Sequence, residues 1–237
     1  MNSAHYVPTP INAVIFDCDG TLIDSETSGM TALFEEACML GFNLPLEKAL
    51  HDFCGKRMAV CIELIEKNLG HPAPPDFEAT VRRAMAQKFR THVSAMPGAV
   101  ALLDQLKTLQ MPYCIASNGP QEKMQLTLSL SGLQPYFEKH VFSAYDLGHW
   151  KPSPQLFLYA AHEMAVLPEN CAVVEDSLPG IAAGLAAGMR VFSMCEPETV
   201  PADVAAQVVQ IKGLAYLLDA FNSTNTLYSL RHSKTCS

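Results

Sequence analysis

The sequence predicts an α/β fold, a parallel sheet covered by helices and interrupted after its first strand by an all-helical block. Three observations predict it. The run Ala13-Val14-Ile15-Phe16 is continuously apolar, as a strand buried on both faces should be. From Pro97 onward short apolar runs alternate with helical patterns, the signature of a parallel sheet with helices on its faces. Between Ser25 and Met96 the pattern changes to helices without an intervening strand.

Taken in order, the first strand ends at Asp17 and the chain enters a predicted helix at Ser25. The helical block reads as Ser25–Leu40, Leu46–His51, Met58–Leu69 and Phe77–Val93, separated by the breaks Gly41, Gly55 and His71-Pro72-Ala73-Pro74-Pro75. The remaining strands read as Tyr113–Ala116, His140–Phe142, Cys171–Val174 and Arg190–Ser193. Between them lie helices near Ala99–Leu109, Gln121–Leu130, Gln155–Met164 and Pro179–Ala187. Gly132 and Gly188 stand at helix C-termini, and Pro154 and Pro179 at first turns. The predicted organisation is a discontinuous α/β core of residues 1–24 and 97–221, a helical domain of residues 25–96, and a polar, disordered tail of residues 222–237.

At 237 residues, 49% hydrophobic and 17% charged, the chain has the length and composition to bury a real core. Its net charge of -8, with no basic cluster, argues against nucleic acid as a partner. Met1 to Pro10 lack the basic and apolar runs of a signal peptide, and no stretch has the roughly 20 apolar residues that span a bilayer. The expectation is a cytoplasmic protein with no membrane partner; whether it is a monomer or a dimer is left open. The 8 cysteines include no Cys-x-x-Cys pair and sit mostly in apolar segments, so they read as buried reduced thiols. Cys18 in particular should point into the core. The helical block carries 8 basic and 9 acidic residues and the rest 8 and 15, so seven of the eight net charges lie outside the block. A near-neutral block over an acidic core suits an anionic substrate held between them.

The chemistry starts at Asp17-Cys18-Asp19-Gly20-Thr21. Residues i and i+2 leave a strand on one face, so Asp17 and Asp19 converge while Gly20 lets the backbone turn away. Two carboxylates at one point stay ionised together only beside a cation. Mg²⁺ is suited, since it takes one or two carboxylates, waters and phosphate oxygens. Asp-x-Asp-Gly also occurs in ordinary turns and calcium loops, but the preceding strand and Ser28 at the closing position do not fit a calcium loop.

Three further strand ends carry polar groups. Ser117-Asn118-Gly119 precedes a helix and forms an anion site; Lys151 sits in the stiff loop His149–Pro154; Glu175-Asp176-Ser177 gives a second carboxylate pair. Singly, Ser117 reads equally as a helix cap, Lys151 as a surface lysine, and Glu175 or Asp176 as an N-cap. Ligands of open α/β sheets bind outside the carboxyl ends of the strands, so in this order the four face one crevice.

These residues carry a resemblance to a known family. The order Asp-x-Asp-Gly-Thr, Ser, Lys-Pro, Glu-Asp, from Ile11 to about Pro197, resembles the haloacid dehalogenase superfamily, and the helical block resembles the cap of its phosphoglucomutase-like and phosphatase branch. The resemblance implies a Rossmann-like core with an inserted helical cap and a Mg²⁺-dependent phosphatase that forms an aspartyl phosphate. Asp17 would be the nucleophile and Asp19 the proton donor and acceptor, a residue that must titrate near working pH. Mg²⁺ would be held by Asp17, the Asp19 carbonyl and Asp176, with Glu175 binding directly or through water. Lys151 would offset charge, while Thr21, Ser117 and Asn118 hold phosphate oxygens by hydroxyl or backbone N–H. Finer matches, Ser117-Asn118-Gly119-Pro120 with Lys123-Met124 and Tyr145-Asp146 with Trp150-Lys151-Pro152, imply a small phosphorylated metabolite as partner, 6-phosphogluconate first and a hexose phosphate next.

Other chemistries share this scaffold. Dehalogenases lack the second aspartate, which Asp19 supplies here. Phosphonatases use a cap lysine, and nothing selects Lys48, Lys56 or Lys67. Mutases carry a cap histidine where this chain has Gly29. A non-catalytic sensor is the remaining alternative, although Asp17, Asp19 and Asp176 are all intact. Specificity is expected from Phe53-Cys54-Gly55-Lys56-Arg57, with Arg57 forking onto a carboxylate, against the alternative that Lys56 and Arg57 are solvated helix-start residues. Arg82, Arg83 and Arg90 read as an exposed helix face, Trp150 as packing or as the entrance, and His149 is left open.

Overall fold

The computed structural model describes residues 10–53 and 56–218. The chain begins with β1 (Ala13–Phe16) and a short β2 (Ile23–Asp24), then runs through α1 (Glu26–Met39), α2 (Leu46–Phe53), α3 (Met58–Leu69) and α4 (Phe77–His92). It returns through β3 (Ser94–Ala95) to α5 (Ala99–Thr108), β4 (Tyr113–Ser117), α6 (Gln121–Leu130), β5 (Val141–Ser143) and the single turn α7 (Ala144–Leu147). There follow α8 (Gln155–Glu163), β6 (Cys171–Glu175), α9 (Leu178–Ala186), β7 (Arg190–Ser193), α10 (Ala202–Ala205) and β8 (Val209–Gln210).

Six strands form one parallel sheet in the order β5-β4-β1-β6-β7-β8, with β1 central. Its pleat explains the continuous apolar run. Val14 and Phe16 face a core with Leu102, Leu106 and Leu128, while Ala13 and Ile15 face a second core with Leu156, Phe157 and Ile181. Both layers are fully buried, each large side chain contributing roughly 1.5–3 kcal/mol. Cys18 is buried in the first of these cores, as its strand position implies. The same burial on both faces fixes the register, because a one-residue slip would exchange the two layers.

Helices α1 to α4 build a separate core from Leu33, Phe42, Phe53, Ile65, Phe77 and Val81. The sequence reading put no strand in this stretch. The structure places β3 there, pairing antiparallel with β2 through Ile23–Ala95 and Asp24–Ser94. Two residues are too few for a period-2 pattern, so the ribbon joining the helical block to the sheet leaves no periodic signal. The tail 222–237 and the break at Gly55 lie outside the described residues. Among the described residues no helix is long and apolar enough to cross a membrane.

Candidate active site

Every parallel strand delivers its C-terminal end to one edge of the sheet, and the helical block stands over it. The cavity between them has a volume of about 730 Å³, and its floor includes Asp17, Asp19, Ser117, Asn118, Lys151 and Asp176. Lys56 and Arg57 reach it from the helical block. Thr21 and Glu175 do not; both are fully buried behind it.

Lys151 is the hub. Its ammonium Nζ donates to Asp17 Oδ1 and to Glu175 Oε1, each at 2.5 Å, in a site where the lysine side chain is 2% exposed. Burial by itself would lower the lysine pKa, but Asp17 and Glu175 outweigh it and hold the group well above its ordinary value. Burial pushes Asp17 the other way from an ordinary carboxylate, upward; Lys151 opposes this, while Glu175 and Asp19 add to it. Asn118 fixes the lysine's main chain, its Oδ1 accepting from Lys151 N at 2.9 Å. Ser117 Oγ accepts from Gly119 N at 3.1 Å, which folds this loop tightly beside Asp19.

Glu175 was expected beside the metal, directly or through water. Its carboxylate instead turns into the sheet end, with Oε2 accepting from Ser177 N at 3.1 Å and from Ser177 Oγ at 2.8 Å. Ser177 in turn caps α9 by accepting from Gly180 N at 3.2 Å. Both carboxylate oxygens are therefore satisfied within the protein. Of the two Thr21 groups expected on phosphate, the hydroxyl or the backbone N–H, the hydroxyl donates to Asp176 Oδ1 at 3.0 Å and holds that carboxylate toward the turn.

Asp19 is held from two sides. Ser25 Oγ donates to Oδ1, and Lys123 Nζ stands 2.7 Å from Oδ2. Burial would raise its pKa, yet Lys123 and the two hydrogen bonds bring it below the usual carboxylate range. The ammonium of Lys123, which the sequence pattern placed beside the Ser117 loop without a role, thus sits on the group expected to titrate near working pH. Lys123, in the first turn of α6, had a signal in its place just after the Ser117 loop.

Arg82 is a further correction. Read as exposed, it lines the cavity, forked onto Glu78 Oε1 and donating to Tyr145 Oη at 3.1 Å. Its spacing from Glu78 is that of a solvated helix pair, and only the docking of α4 against α7 buries it. Arg83 and Arg90 are exposed as expected. Arg57 lies over the Trp150 ring at 5.8 Å, and Trp150 meets Tyr145 edge-on at 5.5 Å. His149 is exposed and away from the cavity wall. Cys54 and Gly55 lie outside the described residues.

The donor set fits Mg²⁺. Gly20, at φ +79°, leaves room for Asp176; a Cβ there would stand 1.9 Å from Asp176 Oδ2, so this carboxylate rests on the turn between Asp17 and Thr21. Asp17 and Asp176, with the Asp19 carbonyl, offer two carboxylates and one neutral oxygen, the hard, incomplete set that Mg²⁺ takes. A buried Asp17 whose pKa is raised despite Lys151 is a carboxylate that one more cation would ionise. Among the described residues no group of three or more His, Cys, Asp or Glu is arranged as a self-sufficient metal cage.

A family model described as haloacid dehalogenase-like hydrolase matches residues 11–188. The chain belongs to the haloacid dehalogenase-like hydrolases. It is 37% identical over 196 residues to 6-phosphogluconate phosphatase of Escherichia coli (strain K12), covering 81% of this chain and 86% of that one. With hexitol phosphatase A of the same organism it shares 30% identity over 189 residues, 79% and 84% of the two chains. A HAD family hydrolase from Deinococcus radiodurans R1, solved with bound phosphate and sodium, superposes with a TM-score of 0.74 at 28% identity, over 92% of this chain and 97% of that one. Membership together with the phosphatase relatives gives the class of enzyme: this haloacid dehalogenase-like hydrolase is a phosphatase, a phosphoric monoester hydrolase. The sheet with a helical region inserted after β1 and β2 is the architecture of that family.

Proposed function

We propose that the enzyme hydrolyses a small phosphorylated sugar or sugar acid, with 6-phosphogluconate favoured, through an aspartyl phosphate on Asp17. The observation that carries this reading is the Lys151 ammonium bridging Asp17 and Glu175 on the floor of the cavity. One Asp17 oxygen attacks phosphorus while the ester oxygen departs with a proton from the Asp19 carboxyl. Water then attacks the aspartyl phosphate, gives a proton to Asp19, and frees Asp17 and inorganic phosphate. The ionised Asp19 held by Lys123 and Ser25 is ready for this second half; for the first, one of those contacts must release as Asp19 takes up a proton. Lys151 and the Ser117–Gly119 amides offset charge on the phosphoryl oxygens.

Mg²⁺ bound by Asp17, Asp176 and the Asp19 carbonyl would neutralise charge on the phosphoryl group and on the nucleophile. We assign Glu175 to holding Lys151, and Thr21 to holding Asp176, because of where their side chains bond. The sugar-acid preference draws on the 6-phosphogluconate phosphatase relative and on Arg57, which lines the cavity. The hexitol phosphatase relative supports phosphorylated polyols as the neighbouring class. The mutase alternative is disfavoured by Gly29, which faces the cavity with no side chain to move a proton.

Phosphate release from a panel of esters, with Mg²⁺ and with chelator, tests this reading. Chelator-sensitive turnover led by 6-phosphogluconate is expected. Binding of the esters without phosphate release would favour a sensor, and isomerised sugar phosphate would favour a mutase.

A further inference from the structure

The cavity's floor and roof differ in chemistry. The floor is carboxylates and ammonium groups. Part of the roof is built by Gly29 and Met30 of α1, Met58 of α3, and Met85 and Phe89 of α4, while His51, Lys56, Arg57 and Arg82 of the same helical block line the cavity beside it. Met30, Met58 and Met85 are each half-buried and pack against the core of the helical block, so three flexible thioethers from three helices share one wall. Gly29 keeps that wall open. A Cβ there would already touch Phe89 Cζ at 3.5 Å and Met85 Cε at 3.7 Å, so any longer side chain would have to turn into the space beneath.

None of these five residues donates a side-chain hydrogen bond, so a polyol chain seated against them, and not against His51, Lys56, Arg57 or Arg82 of the same block, loses water without a replacement partner. An aromatic or flat apolar group loses nothing there and gains burial and sulfur contacts that adapt to its shape. The volume, about 730 Å³, is roughly that of two dozen waters, enough for a ring beyond the phosphate.

We infer that the site takes a second class of substrate, phosphate monoesters whose alcohol carries an aromatic ring, with the phosphate on the floor and the ring beneath Met30, Met58 and Met85. The inference rests on the phosphatase reading only for seating the phosphate beside Asp17. It leaves Arg57 unused, so sugar acids and aromatic esters are recognised by different parts of one cavity.

The test is calorimetric binding to Asp17→Asn enzyme in Mg²⁺, using 2-phenylethyl phosphate and glucose 6-phosphate, two alkyl esters that differ in what lies past the phosphate. The phenyl ester should bind at least tenfold tighter, and Met58→Gln/Met85→Gln in the same background, which keeps side-chain length, should remove most of that advantage. Equal or reversed affinities, no binding of the phenyl ester, or an advantage that survives the double substitution would each overturn the inference. The order of kcat/KM for the two esters in the unaltered enzyme gives the same answer should the variants fail to fold. Turnover by Asp17→Asn would strike the nucleophile assignment, while the binding order still decides this inference.

Discussion

Glu175 Oε1 lies 2.5 Å from Lys151 Nζ, in a pair whose side chains are 0% and 2% exposed. A buried ammonium shared by two carboxylates sets both the position of Lys151 and its charge. Removing Glu175 leaves the ammonium with Asp17 alone and one buried donor hydrogen unmet, and losing a hydrogen bond to a charged group typically costs about 1.5–3 kcal/mol. Glu175→Ala should therefore lower stability by about that much, whereas Glu175→Gln, which keeps a carbonyl acceptor, should cost less. Denaturant unfolding of both variants checks it, and a Glu175→Gln protein as stable as the unaltered one would show that the charge is immaterial.

Gly20→Ala should disturb the metal site while sparing the core. The added methyl meets Asp176 Oδ2 at 1.9 Å, and the backbone there has φ +79°. Displacing an outer support of a ligand commonly weakens metal binding about 10–100-fold. The Mg²⁺ concentration for half-maximal activity should rise by that factor, and an unchanged Mg²⁺ titration would remove Asp176 from the ligand set.

Lys123→Met should destabilise the protein at neutral pH and not at low pH. Asp19 has a folded pKa below its ordinary value of 3.8, so the pair contributes stability above that pH and loses it as pH falls through the folded value. The difference between unaltered and variant protein should be about 1–2 kcal/mol at pH 7, for a pair that is less than a third exposed, and should shrink below about pH 4. Melting curves at a series of pH values read it directly; a difference independent of pH would mean that packing, not charge, is lost.

What was legible in the sequence was whatever ends a strand. Asp17, Asp19, Ser117, Lys151 and Asp176 share one edge because parallel strands present their C-termini together, and that follows from patterning alone. Side-chain direction beyond the strand end was not legible. Thr21 and Glu175 carry the right chemistry at the right place, yet the side chain of each bonds inward, to Asp176 and Lys151. Arg82 was misread for a different reason: a helix pattern records amphipathicity but not which element will dock on its polar face. The β2 and β3 ribbon was lost to its two-residue length.

Cysteine reactivity separates surface from core. Cys38 is exposed, whereas Cys18, Cys61, Cys114, Cys171 and Cys195 are buried. Burial pushes the Cys61, Cys171 and Cys195 thiols up to about 11, so at pH 8 they are overwhelmingly neutral thiols. Iodoacetamide on the folded protein should label Cys38 and leave these five untouched until denaturant is added, as peptide mass mapping would report. Rapid labelling of Cys114 or Cys171 in the folded state would contradict the two-layer core.

The most direct measurement is acid-quenched mass spectrometry of enzyme mixed with Mg²⁺ and 6-phosphogluconate. The account predicts a transient phosphoryl adduct on the peptide carrying Asp17, absent from Asp17→Asn, whose turnover should fall by roughly a thousandfold or more. A fully active Asp17→Asn enzyme, or an adduct on any other residue, would contradict it.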